Sequence, residues 1–168
     1  MTSSNPSIIH FEQESIEDLN SNFLQFQKGV IILKKVVFGR IVNSVPSPND
    51  KENQLEWKRT VAKSVYLNKT SELHSPKDYY AISLNMRFNI KNHHAKKLDV
   101  ENYVKPIVDA IAMGLFSHGI DLDKITKFDA DDSNFHHLYI ERSNDVSNPT
   151  EEGVVIVVSK IKKHTTYD

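Results

Sequence analysis

The chain has 168 residues, 39% hydrophobic and 26% charged, with a net charge of −1, a balance that fits one domain with a real core rather than two. It contains no cysteine, which excludes disulfides, thiolate zinc sites and cysteine nucleophiles. No apolar run reaches the roughly 20 residues of a membrane helix, and Met1–Ser7 lacks a basic-then-apolar leader pattern, so a cytoplasmic protein off the membrane is expected.

In chain order, residues 1–28 read as an N-terminal extension. Ser15 caps a short helix there, in which Ile16, Leu19, Phe23 and Phe26 recur at helical spacing. A domain over residues 29–163 follows. Val30–Ile41 is rich in β-branched residues and predicts one or two strands, and Val45–Asp50 predicts a loop. A second helix is expected where Leu55, Val61, Ala62, Val65 and Tyr66 fall on one face, with Trp57 in the core.

Tyr79–Ile90 alternates, with Tyr80, Ile82, Leu84, Met86, Phe88 and Ile90 on one side and Ser83, Asn85, Arg87 and Asn89 on the other. That is the pattern of a half-buried strand. After a polar stretch Lys91–Lys97, residues Val100–Leu115 predict a helix with Val104, Ile107, Val108 and Ile111 inward. Pro106 restricts its start to about Asn102, and Gly114 is expected to end it. Phe135–Glu141 and Val154–Ile161 read as strands flanking a polar turn, Ser143–Gly153. Residues 164–168 read as a tail, with Lys160, Lys162 and Lys163 solvated. The class expected is α+β (α/β-like): a single domain with a mixed sheet and two or three helices packed on it.

The chemistry concentrates in Leu98–Ile111. Asp99 and Glu101 stand two residues apart at a helix entrance, where side chains at i and i+2 can point the same way and converge on one hard cation. Mg²⁺ favours about six oxygen ligands and typically takes one or two carboxylates. A third acid would come from elsewhere, and Asp131-Asp132 precedes the strand Phe135–Glu141. A plainer reading exists for each group. Asp99 and Asn102 are good helix caps. Glu101, Lys105 and Asp109 form an i, i+4 ladder worth about 0.2–0.5 kcal/mol per pair, with Asp109 a support that holds Lys105. The pairs His93-His94 and His136-His137 are adjacent on the chain, so on a regular strand they face opposite sides and cannot share an ion.

Asp99-Val100-Glu101-Asn102, then Lys105, then Asp109-Ala110-Ile111, followed downstream by Asp131-Asp132-Ser133-Asn134-Phe135, resembles the two signatures of the RusA-like family of Mg²⁺-dependent Holliday junction resolvases. The resemblance spans residues 30–162 and is close over Leu98–Ile111 and Asp131–Arg142. It implies a RusA-like fold and an endodeoxyribonuclease that acts as a homodimer. Such an enzyme resolves four-way DNA junctions by paired symmetric nicks during DNA recombination and repair. It implies Asp99, Glu101 and Asp132 as Mg²⁺ ligands, with Mn²⁺ a substitute, and Lys105 beside the scissile phosphate. Asp131, Asp121 and Asp123 are rival ligands, the last two because the connection from Gly114 to Asp131 is longer than the family's. A second departure is Glu101, where the family carries Asp. Beside such a cluster, Lys91, Lys96, Lys97, His94 and Asn102 become candidate DNA contacts. Lys34, Lys35, Arg40, Lys58, Arg59 and Lys63 are further basic candidates. The alternatives are a catalytically weak branched-DNA-binding protein of the same fold, and a non-enzymatic interaction module.

Overall fold

The strand Tyr79–Asn89 runs through the middle of the protein and gathers the rest around it. In the computed structural model, which describes residues 30, 32–42, 50–89, 91, 101–148 and 151–163, seven elements follow one another. They are β1 (Ile32–Val42), α1 (Lys51–Asn68), β2 (Tyr79–Asn89), α2 (Glu101–Phe116), a 3₁₀ turn (Leu122–Lys124), β3 (Phe135–Val146) and β4 (Gly153–Ile161). The expected N-terminal helix at Ile16–Phe26, loop residues 43–49, Ile90, Pro149 and the tail 164–168 lie outside the described residues.

The four strands form one mixed sheet in the order β1-β4-β2-β3. β4 is antiparallel to both β1 and β2, while β2 and β3 are parallel. The parallel pairing requires a crossover, supplied by α2. The step from β1 through α1 to β2 moves across the sheet in the same direction, so connections of one hand place both helices on one face. The two helices do touch, as Gly114 shows below.

The alternation in β2 works as the sequence predicts. Tyr80, Ile82, Leu84, Met86 and Phe88 are buried, and share a core with Trp57, Val61 and Val65 of α1 and Tyr103, Ile107 and Ile111 of α2. Each such side chain contributes about 1.5–3 kcal/mol relative to exposure. Ser83, Asn85 and Arg87 point to the other face, and Asn85 donates to Glu141 Oε2 across the pair at 3.2 Å.

α1 starts at Asp50, whose carboxylate accepts from Asn53 N at 3.3 Å. Its buried stripe is Trp57, Val61, Ala62 and Val65. Tyr66 leaves that stripe, being 42% exposed, and its ring instead takes the Lys69 ammonium at 4.5 Å.

α2 starts within a residue of the expected position and runs past its expected end. It begins at Glu101, one residue before Asn102, so Pro106 is its sixth residue and lies in the second turn. The missing N–H there leaves the Asn102 carbonyl without its helical donor. Nor does Gly114 end the helix, which runs on to Phe116. Its role is proximity. A Cβ at Gly114 would lie 2.3 Å from the Ala62 carbonyl oxygen and 2.8 Å from Val65 Cβ, so only glycine lets the two helices approach this closely.

Residues 117–134 then return across the outside of the helical pair. Leu122, with Ile125, Phe128 and Ala130, packs on Ala62 and Met113. Arg59 Nε donates to the Ile125 carbonyl at 2.8 Å, and Lys63 pairs with Asp123 at 2.8 Å. β3 extends to Val146, so Ser143–Val146, expected in a turn, are strand residues, with Ser143 paired to Arg87 and Val146 to Asn89 across an irregularity in register. Lys160, expected to be solvated, instead pairs with Asp78 at 2.9 Å.

Candidate functional site

The helix α2 carries Glu101, Lys105 and Asp109 one turn apart along a single stripe. Lys105 Nζ donates to Asp109 Oδ1 at 2.6 Å. The other Asp109 oxygen receives Lys58 Nζ from α1 at 3.4 Å. That ammonium also sits 4.3 Å from the centre of the Phe128 ring. Asp109 therefore holds two lysines from two helices, and its side chain is only 16% exposed. The expectation that Asp109 supports Lys105 is met.

Asp132 joins this group from the returning loop, its Oδ2 lying 3.5 Å from Lys105 Nζ. Four charged groups thus form a chain, Lys58–Asp109–Lys105–Asp132, contributed by α1, α2 and the turn before β3. The bond to Asp109, reinforced by the charge of Asp132, holds Lys105 above the usual lysine range against a modest desolvation. It is a fixed cation at neutral pH.

The turn that presents Asp132 is tightly specified. Asp131 accepts from Ser133 N at 2.9 Å, and Phe135 N donates to the Asp132 carbonyl at 3.0 Å. Ser133, through its side chain and then its amide, draws the Asp131 carboxyl below its ordinary range. Asn134 ties the turn to the sheet: its carbonyl accepts from Tyr80 N at 2.9 Å and its side-chain amide donates to the Pro76 carbonyl. The Asp131–Phe135 signature is thus a turn whose first acid is consumed by the fold and whose second faces Lys105.

The rival acids are engaged elsewhere. Asp121 caps the 3₁₀ turn, accepting from Asp123 N at 3.1 Å, and pairs with Lys124; Asp123 pairs with Lys63. Glu101 and Asn102 are exposed in the first turn of α2, and Lys91 is exposed just after β2. Asp99, Lys96, Lys97 and His94 lie outside the described residues, as does His93. Among the described residues, no three acidic or histidine side chains come together as a metal-holding group. Glu101 and Asp132 are hard oxygen donors of the type Mg²⁺ takes, so the implied donor set is chemically suited to that ion.

Of the other basic candidates, Lys34 pairs with Glu72 at 2.6 Å, Arg40 donates to the Glu151 carbonyl at 2.9 Å, and Arg59 and Lys63 hold the loop. Lys35 lies 5.7 Å from the Phe38 ring centre. Lys58 is the one that the sequence left unranked and the fold brings to Asp109. Its i, i+4 surroundings on α1 carry no signal for this, because the contact joins residues 51 positions apart.

The histidine pair behaves unexpectedly. The β2–β3 register shifts between Tyr80/Ala81, pairing Phe135 with Tyr80 and His137 with Ala81. His136 is the extra residue of this bulge, so the rule of opposite faces fails and both imidazoles line one cleft. Among the described residues no helix is long and apolar enough to cross a membrane. No protein-family model matches the chain, and no curated protein or solved structure matches it either.

Proposed function

We propose that the protein is a divalent-metal-dependent endonuclease acting on branched DNA, with the four-way junction as its substrate and a homodimer as its working form. The observation that carries this reading is the 3.5 Å approach of Lys105 to Asp132. Each belongs to a different one of the two motifs that resemble the RusA-like signatures, and nothing in a solvated helix ladder requires them to meet.

The chemistry follows from the charges. Asp109 and Asp132 supply two carboxylates against the two ammoniums of Lys58 and Lys105, a charge-balanced chain. Bringing Asp99 and Glu101 to Asp132, as the resemblance implies, would create an acidic surplus there, which a divalent cation relieves. When bound, such an ion supplies an acidified water and a Lewis acid toward phosphate. Lys105 contributes a cation on a side chain 70% exposed, able to turn from Asp132 toward a phosphate oxygen and offset charge developing there. Asp109, itself paired with Lys58, tethers Lys105 through the 2.6 Å bond.

The test is direct. Purified protein incubated with a synthetic four-way junction and Mg²⁺ yields paired nicks, and Asp99→Asn abolishes them while junction binding persists. No metal-dependent nicking across several junction sequences, with Mg²⁺ and Mn²⁺, would sink the proposal. A second reading, a junction-binding protein without strong cleavage, is favoured by one observation: Glu101 stands where the family carries Asp. It expects gel shifts that vanish at high salt and a gain of nicking in Glu101→Asp.

A further inference from the structure

Where β2 and β3 begin and β4 ends, Tyr79, His136, His137, Ile161, Lys162 and Lys163 line an open cleft of about 240 Å³. It opens on the face of the sheet away from the helices, since His137 pairs with Ala81 and Ile161 with Tyr79. The bulge at His136 is what creates it, by turning two consecutive imidazoles to one side. The Tyr79 and His136 rings pack with centres 4.5 Å apart, and Lys163 Nζ lies 5.4 Å from the centre of the Tyr79 ring. Among the described residues no carboxylate lines the cleft. The one nearest in sequence, Asp78, is held by Lys160 at 2.9 Å.

Two lysines, two histidines and a tyrosine, with no acid beside them among the described residues, have the composition of an anion site. Size narrows the anion. The cleft holds several waters at about 30 Å³ each, yet falls below the roughly 300–1,000 Å³ of pockets that enclose larger organic ligands. We infer that it binds a phosphate group, Lys162 and Lys163 carrying the charge and His136, His137 and Tyr79 forming polar walls. Lysine suits this role as a compact point charge for phosphate. The site is separate from the Lys105 cluster and does not depend on the nuclease reading.

Phosphate reaches such a cleft either as a monoester, free or at a strand end, or as the diester backbone of a nucleic acid. Histidine ring signals of the full-length protein, recorded without divalent metal and at constant ionic strength, distinguish the two. The titrants are sodium phosphate, thymidine 5′-monophosphate, and a short oligothymidylate lacking terminal phosphate. Saturable shifts at His136 and His137 are expected, weakened about tenfold or more in the double variant Lys162→Ala, Lys163→Ala. Both lysines are exposed beyond the end of β4, so that variant keeps its fold. Response to inorganic phosphate and the monoester alone assigns the cleft to phosphate ends or free nucleotides. Response to the oligonucleotide, displaced by phosphate, assigns it to the backbone. Non-saturating shifts reproduced by sodium chloride, or equal affinity in the double variant, would overturn the inference.

Discussion

Replacing Asp109 with Asn removes one charge from between two lysines while keeping the side chain's shape. The two pairs it breaks are unequal. Lys58 and Asp109 are each 16% exposed, and an ammonium left in a part-buried site without its counter-charge costs about 1–3 kcal/mol. Lys105 is 70% exposed, so its i, i+4 pair adds only about 0.3–0.5 kcal/mol. The expected loss is therefore about 1.5–3 kcal/mol, carried almost wholly by Lys58. With a urea slope of about 1–3 kcal/mol per molar, the midpoint falls by about 1 M. A double-mutant cycle with Lys58→Met isolates the pair, and a coupling of about 1 kcal/mol or more is expected. An unchanged midpoint in Asp109→Asn, or a coupling near zero, would refute the claim that Asp109 anchors the two helices electrostatically.

Asp132→Asn separates function from stability. Its side chain is 40% exposed at a 3.5 Å pair, so the melting temperature should move by less than the equivalent of about 0.5 kcal/mol, while the proposed metal-dependent junction nicking should be lost. Gly114→Ala gains about 1 kcal/mol in helix propensity but drives a Cβ to 2.3 Å from the Ala62 carbonyl. Overpacking of this kind typically costs about 1–3 kcal/mol, and a clash with backbone lies at its upper end, so calorimetry should show a lower melting temperature. His74 is 2% exposed and its Nε2 lies 3.1 Å from the Thr70 carbonyl. Burial holds it below the usual histidine range, so the unfolded chain takes up the proton first. Stability is then full above about pH 6.5 and falls as pH drops below it, by at most about 1.4 kcal/mol per pH unit. Urea midpoints at pH 7.5, 6.5 and 5.5 should converge less in the wild type than in His74→Gln, whose profile is flatter.

The strand β2 was legible because large apolar residues recur at every second position from Tyr80 to Phe88 and the helical layer covers that side. The mixed sheet with helices on it followed from strands alternating with helical stretches. Gly114 was misread because helix ends and close helix crossings both select glycine, and only the partner helix tells them apart. The length of β3 was hidden for a related reason: Ser143, Asn144 and Asp145 are turn-forming types, yet the pairing of Ser143 with Arg87 and of Val146 with Asn89 carries the strand through them. At the candidate site, the Lys105–Asp109 contact is written in the i, i+4 spacing. The approach of Asp132 was carried by motif order, and Lys58 by nothing local, since it depends on how two helices cross. The His136 bulge illustrates a further limit, because period-two reasoning assumes a regular ladder.

The loop from Ser117 to Asn134 has a consequence for how this protein tolerates change. Its course is pegged to α1 at the Ile125 carbonyl by Arg59 and at Asp123 by Lys63. That helix contributes no acid to the cluster, yet it fixes the path along which Asp132 is delivered. Substitutions at Arg59 or Lys63 would therefore act as remote adjustments of aim, displacing a carboxylate they never touch.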